Sequence, residues 1–285
     1  MKVGIIGASG GPGKNAGMKP WLLPLFLSSV AVAGGVEPST LPKLSLNART
    51  VGRVADIQTV QGVPRADGPI FFFPTHVRAV LNRPGQHWQP RYDTELPEAY
   101  VAVYPVAGLL AQYPERGEPW NVRTQIDTLK ALNSGRLKLN EVGAWGLPYL
   151  PLWNAHQVTA GAVRMVETPT LKGLRYLTVY SQEDGVRFPR EAIFATFQGL
   201  SRDGRFYITA QMPYAPASLP TRAELDRTKS FEVAPVPAQG SGPAYDAYRQ
   251  KVDAYNLDLK RKLDAEDAAA AVRNLDALVR SIRFY

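Results

Sequence analysis

The sequence predicts an α+β fold, an antiparallel meander sheet covered by C-terminal helices, with an irregular, proline-rich N-terminal half. Three observations lead there. Arg190 to Pro213, REAIFATFQGLSRDGRFYITAQMP, reads as two strands folded on an Asp203-Gly204 turn; an Asp-Gly pair between alternating apolar runs is a strong hairpin signal. Two more strand-like runs, His156 to Glu167 and Gly173 to Gln182, precede it, and successive strands with short connections favour antiparallel neighbours. Beyond Pro243 the apolar residues recur every three or four positions, the spacing of amphipathic helices.

Within the hairpin, side chains alternate between the two faces of each strand. On the second strand Phe206, Ile208, Ala210 and Met212 share one face, and Arg205, Tyr207, Thr209 and Gln211 share the other. That pattern predicts one covered face and one wet one. The first strand sets Ile193, Ala195 and Phe197 against Phe194, Thr196 and Leu200, so it is expected inside the sheet and packed on both sides.

At the start of the chain, Lys2, Lys14 and Lys19 appear without an acidic residue, before the apolar run Trp21 to Ala33, WLLPLFLSSVAVA. This is the layout of a secretory signal peptide with cleavage near Ala33. The run is shorter than the roughly 20 residues that cross a bilayer as a helix, so no transmembrane helix is expected after cleavage. Met18 is an alternative start to Met1. Residues 1–33 are thus read as leader and signal peptide, and 34–285 as one exported α+β domain, secreted, periplasmic or in the cell envelope, with a sub-boundary near 150. Cleavage would leave 30 basic against 25 acidic residues, or +5 in place of +8. These charges are scattered, so no nucleic-acid partner is expected. Cysteine is absent, which removes disulfides, thiolate metal sites and catalytic thiols.

The leader contains a tempting motif. Lys2 to Gly13, KVGIIGASGGPG, spaces Gly7, Gly10 and Gly13 as in the opening of a dinucleotide-binding fold, where glycines let the backbone approach a pyrophosphate at a helix N-terminus. The next segment, Asn15 to Pro24, puts Gly17, Pro20 and Pro24 where that helix must run. Gly7 to Gly11 matches a GxSxG elbow but lacks its helix too. No cofactor is expected.

Further along, strands are predicted at Val54 to Val60, in Gly68 to Leu81 (ending at Phe73, before a turn or short helix), and at Glu98 to Val106. Trp120 to Asn133 places Val122, Ile126, Leu129 and Leu132 at helical spacing, with Gly135 as the stop. Pro213 to Pro243 reads as a linker or long loop. Pro243 then fits the first position of a helix carrying Tyr245, Tyr248, Val252, Tyr255 and Leu259. Asp264 and Asp267 have the spacing of an N-cap and its third residue before a last helix with Val272, Leu275, Leu278, Val279 and Ile282 on one face. Ser281 to Tyr285 is expected to finish as a strand.

FATFQGLSRDGRFYITAQMP, preceded by LRYLTVYSQ and followed by a long helix and LDALVRSIRF, resembles a group of uncharacterised bacterial exported proteins and lipoproteins that share the FQGLSxDGRFY hairpin. The resemblance covers about residues 170–285. It implies export and carries over no catalytic residue; the absent cysteine separates this chain from the lipid-anchored members. The layout of meander, helix and terminal SIRF segment is also similar to the PsbP-like sandwich.

Candidate sites are few. His76, His87 and His156 offer no paired metal spacing, so no metal is expected. Trp145, Tyr149 and Trp153 lie in the proline-bracketed AWGLPYLPLWN. They are the candidate ligand-binding residues, because aromatic faces bind polymers with little entropy loss; core filling is the competing role. The function expected is a noncatalytic envelope protein that binds a polymer, surface or partner. The alternative is a secreted hydrolase assembled by tertiary proximity from His156, Glu183, Asp184 and Ser201.

Overall fold

The computed structural model describes residues 41–65, 72–91, 95–115, 121–142 and 146–285. Two meanders meet in one sheet. The N-terminal one comprises β2 (Val54–Val60), β3 (His76–Asn82) and β4 (Tyr100–Pro105). The C-terminal one comprises β5 (His156–Glu167), β6 (Leu171–Ser181), β7 (Phe194–Ser201) and β8 (Phe206–Pro213). Every neighbouring pair is antiparallel, in the order β2-β3-β4-β8-β7-β6-β5. The join is β4 against β8, with Val101 opposite Ala210 and Val103 opposite Ile208. A short ribbon ties the described ends together: β1 (Leu44–Ser45) pairs β9 (Arg283–Phe284), and Lys43 and Tyr285 exchange backbone hydrogen bonds of 3.1 and 3.2 Å.

Side-chain alternation in the sheet yields two cores. On one face Val101, Val103, Leu177, Phe197 and Ile208 pack under α4 (Pro243–Ala265) and α5 (Ala270–Ser281), through Leu259, Leu263, Leu275 and Leu278. On the other, Tyr100, Tyr104, Tyr176 and Tyr207 pack under α1 (Val106–Gln112), α2 (Val122–Asn133) and the segment at Tyr149–Leu150. Helix α2 buries Val122, Ile126, Leu129 and Leu132 and is capped by Asn121, whose side chain accepts the Thr124 amide at 2.8 Å. Pro243 opens α4 at its first turn, where a missing amide hydrogen costs nothing.

Four local expectations change. The wet face of β8 does not exist: Tyr207 and Thr209 are fully buried, because the second helical layer covers that side. The strand expected to end at Phe73 instead begins at His76, beyond Pro74, whose nitrogen cannot donate to a ladder; residues 68–71 of that expectation lie outside the described residues. Pro213 to Pro243 contains α3 (Arg222–Thr228), started by a capping box in which Thr221 and Glu224 bond each other's backbone amides at 3.1 and 2.6 Å. Asp264 and Asp267 do not cap α5, which starts at Ala270 with no side-chain cap.

Both aspartates are drawn instead to a bulge in β5. Ala162 takes a φ of 51° there, and the pairing with β6 slips between Gly161 and Arg164. The Ala162 amide donates to Asp264 at 2.9 Å, while its carbonyl accepts from Arg175. A Cβ on Gly161 would stand 2.5 Å from that of Leu263, so α4 can lie this close only on glycine. Arg175, fully buried on β6, donates through Nε and Nη2 to Asp276 at 3.0 and 3.3 Å, and through Nη2 to Asp267 at 2.8 Å. Arg164 reaches the other oxygen of Asp267 at 2.6 Å. One guanidinium therefore joins β5, β6, α5 and the turn before α5.

Removing one partner of a buried pair leaves the other charged and unsolvated, at about 3–5 kcal/mol. Arg175→Met should lower stability by about that much, and Arg175→Met with Asp276→Leu should recover part of it; urea unfolding of the variants checks this, and equal midpoints for wild type and single variant would refute it. Gly204 sits at φ 71° with open space around its missing Cβ, so Gly204→Val should cost only the backbone strain, about 1–2 kcal/mol. A thermal melt reads that loss.

Candidate functional site

The segment from Gly146 to Ala155 has no strand of its own, yet its backbone amides must be satisfied. Glutamine side chains do this. The Leu147 amide donates to Gln157 Oε1 at 2.8 Å, the Tyr149 amide to Gln125 Oε1 at 3.0 Å, and the Leu150 amide to Gln198 Oε1 at 3.0 Å. The Pro148 carbonyl accepts the Tyr176 hydroxyl at 2.7 Å. Gln198, in the middle of β7 and fully buried, uses all four of its hydrogen-bonding positions. Its oxygen also accepts the Tyr207 hydroxyl at 2.7 Å, and its nitrogen donates to Thr196 and Thr209 at 2.9 and 2.8 Å. This polar seam pins the segment to the sheet.

The two described members of the predicted aromatic trio take different positions on this support. Tyr149 is 3% exposed and donates to Gln211 at 2.6 Å; burial drives its hydroxyl far above the ordinary tyrosine range, so it stays a protonated donor. Trp153 is 43% exposed. Its ring meets Tyr149 edge-on at 6.2 Å and lies 5.6 Å from both Tyr180 and Phe194. It is a half-exposed indole with a firm aromatic backing. Trp145 lies outside the described residues.

Beside Trp153 opens a cleft of about 670 Å³. Tyr149, Tyr180, Leu147 and Leu152 supply its apolar surface, and Gln125, Gln157, Gln182 and Asn154 supply amides. Gln157 Nε2 donates to the Tyr180 hydroxyl at 3.0 Å, and Gln182 Nε2 donates to the Asn154 carbonyl at 2.7 Å. The described lining holds no Lys, Arg, Asp or Glu. His156 completes the rim, its Nε2 3.3 Å from Asp184, whose other oxygen accepts Arg249 at 3.0 Å.

Of the four groups of the hydrolase alternative, the fold brings only His156 and Asp184 within 3.3 Å of each other across the chain. Ser201 pairs with Leu171 at one end of β6, and His156 with Ser181 at the other. The ten steps along β6 from Leu171 to Ser181 span roughly 33 Å at about 3.3 Å each. Ser201 serves its own turn: Oγ donates to Asp203 at 2.6 Å and accepts the Phe206 amide at 3.0 Å. The Ser201 bond, followed by those from Arg205, lowers the Asp203 carboxyl to about 2. Glu183 lies in an exposed bend, held by its backbone to Ser181 Oγ.

The histidines stand apart from one another. His76 is buried in the aromatic core with Nδ1 3.0 Å from the Pro74 carbonyl, and burial above all drops its pKa to about 3, so it is neutral. His87 lies beyond the far end of β3. Among the described residues no group of three or more His, Asp or Glu gathers as metal ligands, and no helix is long and apolar enough to cross a membrane.

Sequence reasoning missed Gln125, Gln157, Tyr180 and Gln182 as partners of the aromatic loop. Tyr180 carried a signal, since alternation places it on the face of Leu174 and Tyr176. Gln125 carried none, being one polar residue on an amphipathic helix. No protein-family model, curated protein or solved structure matches the chain, so function is read from the cleft.

Gln198→Leu would leave the Leu150 amide and the Tyr207 hydroxyl without their acceptor, at about 1–3 kcal/mol for each buried group. The variant should melt well below wild type and exchange the Leu150 amide faster. Wild-type protection at that amide would show that Gln198 does not hold the loop.

Proposed function

We propose that the chain is a noncatalytic exported envelope protein that captures a polymer, surface or partner in the cleft at Trp153. The observation that carries this is the half-exposed indole, held on Tyr149, Tyr180 and Phe194 beside an open cleft of about 670 Å³. A rigid aromatic platform loses little entropy on contact, and the volume falls in the range of ligand pockets. Export rests on the composition of residues 1–33 and on the resemblance of residues 170–285 to exported proteins. The secreted-hydrolase reading has one observation in its favour, the His156–Asp184 pair at 3.3 Å on the rim, the arrangement in which a carboxylate orients an imidazole base.

Capture from an extract of the native host, combined with a panel of ester, phosphate and glycoside substrates, separates the two. The binding reading expects an envelope component retained by the mature protein, weaker capture by Trp153→Ala at a similar melting temperature, and no turnover. Turnover abolished by His156→Ala would establish the hydrolase. Recovery of the native protein from the cytoplasm with its first 33 residues intact would remove export.

A further inference from the structure

Resting on the binding reading above, we infer that the ligand of the Trp153 cleft is a neutral polysaccharide. The first reason is charge. In a chain where 20% of residues are Asp, Glu, Lys or Arg, the described lining of this cleft has none of them. At the rim the nearest charged group is the Asp184 carboxylate beside His156, already bonded to Arg249, so a phosphate- or carboxylate-bearing polymer would meet a carboxylate before a cation, while a neutral one loses nothing.

The second reason is the match of surfaces. A sugar ring presents C–H groups on its faces and hydroxyls around its edge. The negative face of an indole attracts those C–H dipoles, and Trp153 offers such a face already immobilised by three aromatic neighbours. Around it stand amide groups, which both donate and accept as hydroxyls do: Asn154, Gln182, and Gln157 with its bonded Tyr180 hydroxyl. Because Tyr180 accepts the Gln157 hydrogen, its own remains for a ligand oxygen. Burial raises the Tyr180 pKa, which keeps that hydrogen in place across the physiological range.

The third reason separates sugar from peptide. An extended peptide needs backbone groups to satisfy its own amides. Here the loop's amides at Leu147, Tyr149 and Leu150 and its carbonyls at Pro148 and Asn154 are already engaged by side chains of the protein. Those five groups are closed to a peptide strand, whereas hydroxyls can be met by the side-chain amides around the cleft.

The test uses the full mature chain with three sets of probes: neutral cello-, chito- and malto-oligosaccharides; the anionic polymers polygalacturonate and heparin; and uncharged peptides. Binding is read by tryptophan fluorescence and calorimetry at low and high salt. A neutral oligosaccharide should bind with an affinity that salt leaves unchanged, and Trp153→Ala should weaken it about tenfold or more. Gln182→Ala, on an exposed side chain, should weaken it about threefold or more at an unchanged melting temperature, which keeps the test valid should Trp153→Ala fail to fold. Binding of peptides or anionic polymers alone, weakened by Trp153→Ala or Gln182→Ala, would overturn the sugar while leaving the cleft as a binding site. Failure of all probes, or binding that neither substitution changes, would overturn both.

Discussion

The structure turns on one buried cation. Arg175 sits in the middle of an interior strand, where an unpaired guanidinium would be prohibitive. It is admitted because α5 supplies Asp276, the preceding turn supplies Asp267 and the β5 bulge supplies the Ala162 carbonyl. These partners come from three separate stretches of chain, so satisfying Arg175 fixes where the C-terminal helices lie on the sheet. The bulge follows from the same demand: Ala162 turns its carbonyl to Arg175 and its amide to Asp264, and Gly161 beside it leaves room for α4. Such a network adds little net energy over an apolar one, while losing one of its partners is costly.

On the opposite face Gln198 does for the loop what Arg175 does for the helices. A fully bonded amide at the centre of a tyrosine-rich core holds the Leu150 backbone and the hydroxyls of three neighbours. Without that seam the segment bearing Trp153 would have no ladder to hold it, since it is bracketed by proline and contributes no strand. Trp153 stays 43% exposed on this support. The interior polar network and the ring contacts with Tyr149, Tyr180 and Phe194 hold that indole beside the amide-lined cleft.

The geometry also separates one candidate pair. Nucleophilic catalysis needs base and nucleophile within hydrogen-bond reach, and antiparallel pairing puts Ser201 and His156 at opposite ends of β6. His156 keeps Asp184 as its partner, and Asp184 is shared with Arg249 of α4. Asp184 thereby ties the rim of the cleft to the long helix.

Local chemistry was readable because it depends on near neighbours in the chain. Alternation marked β5 to β8, the Asp203-Gly204 pair marked the β7–β8 turn, Pro243 marked the start of α4, and Val122 to Leu132 marked α2. The capping box at Thr221 and Glu224 was equally readable and was passed over beneath the prolines around it. The wet face assigned to Tyr207, Thr209 and Gln211 failed for a different reason. Alternating polarity shows that two faces differ, but not that water touches either, and here Gln198, Thr209 and Tyr207 satisfy one another beneath a second layer. So the sequence by itself determined the four C-terminal strands and their antiparallel order, helices α2, α4 and α5, and the aromatic character of the loop. Only the tertiary structure decided that β4 pairs β8, that Asp267 serves Arg175 in place of a helix end, that Tyr149 is core while Trp153 is surface, and that four amides join them. Those outcomes depend on which distant groups must be satisfied together, and no local pattern records that.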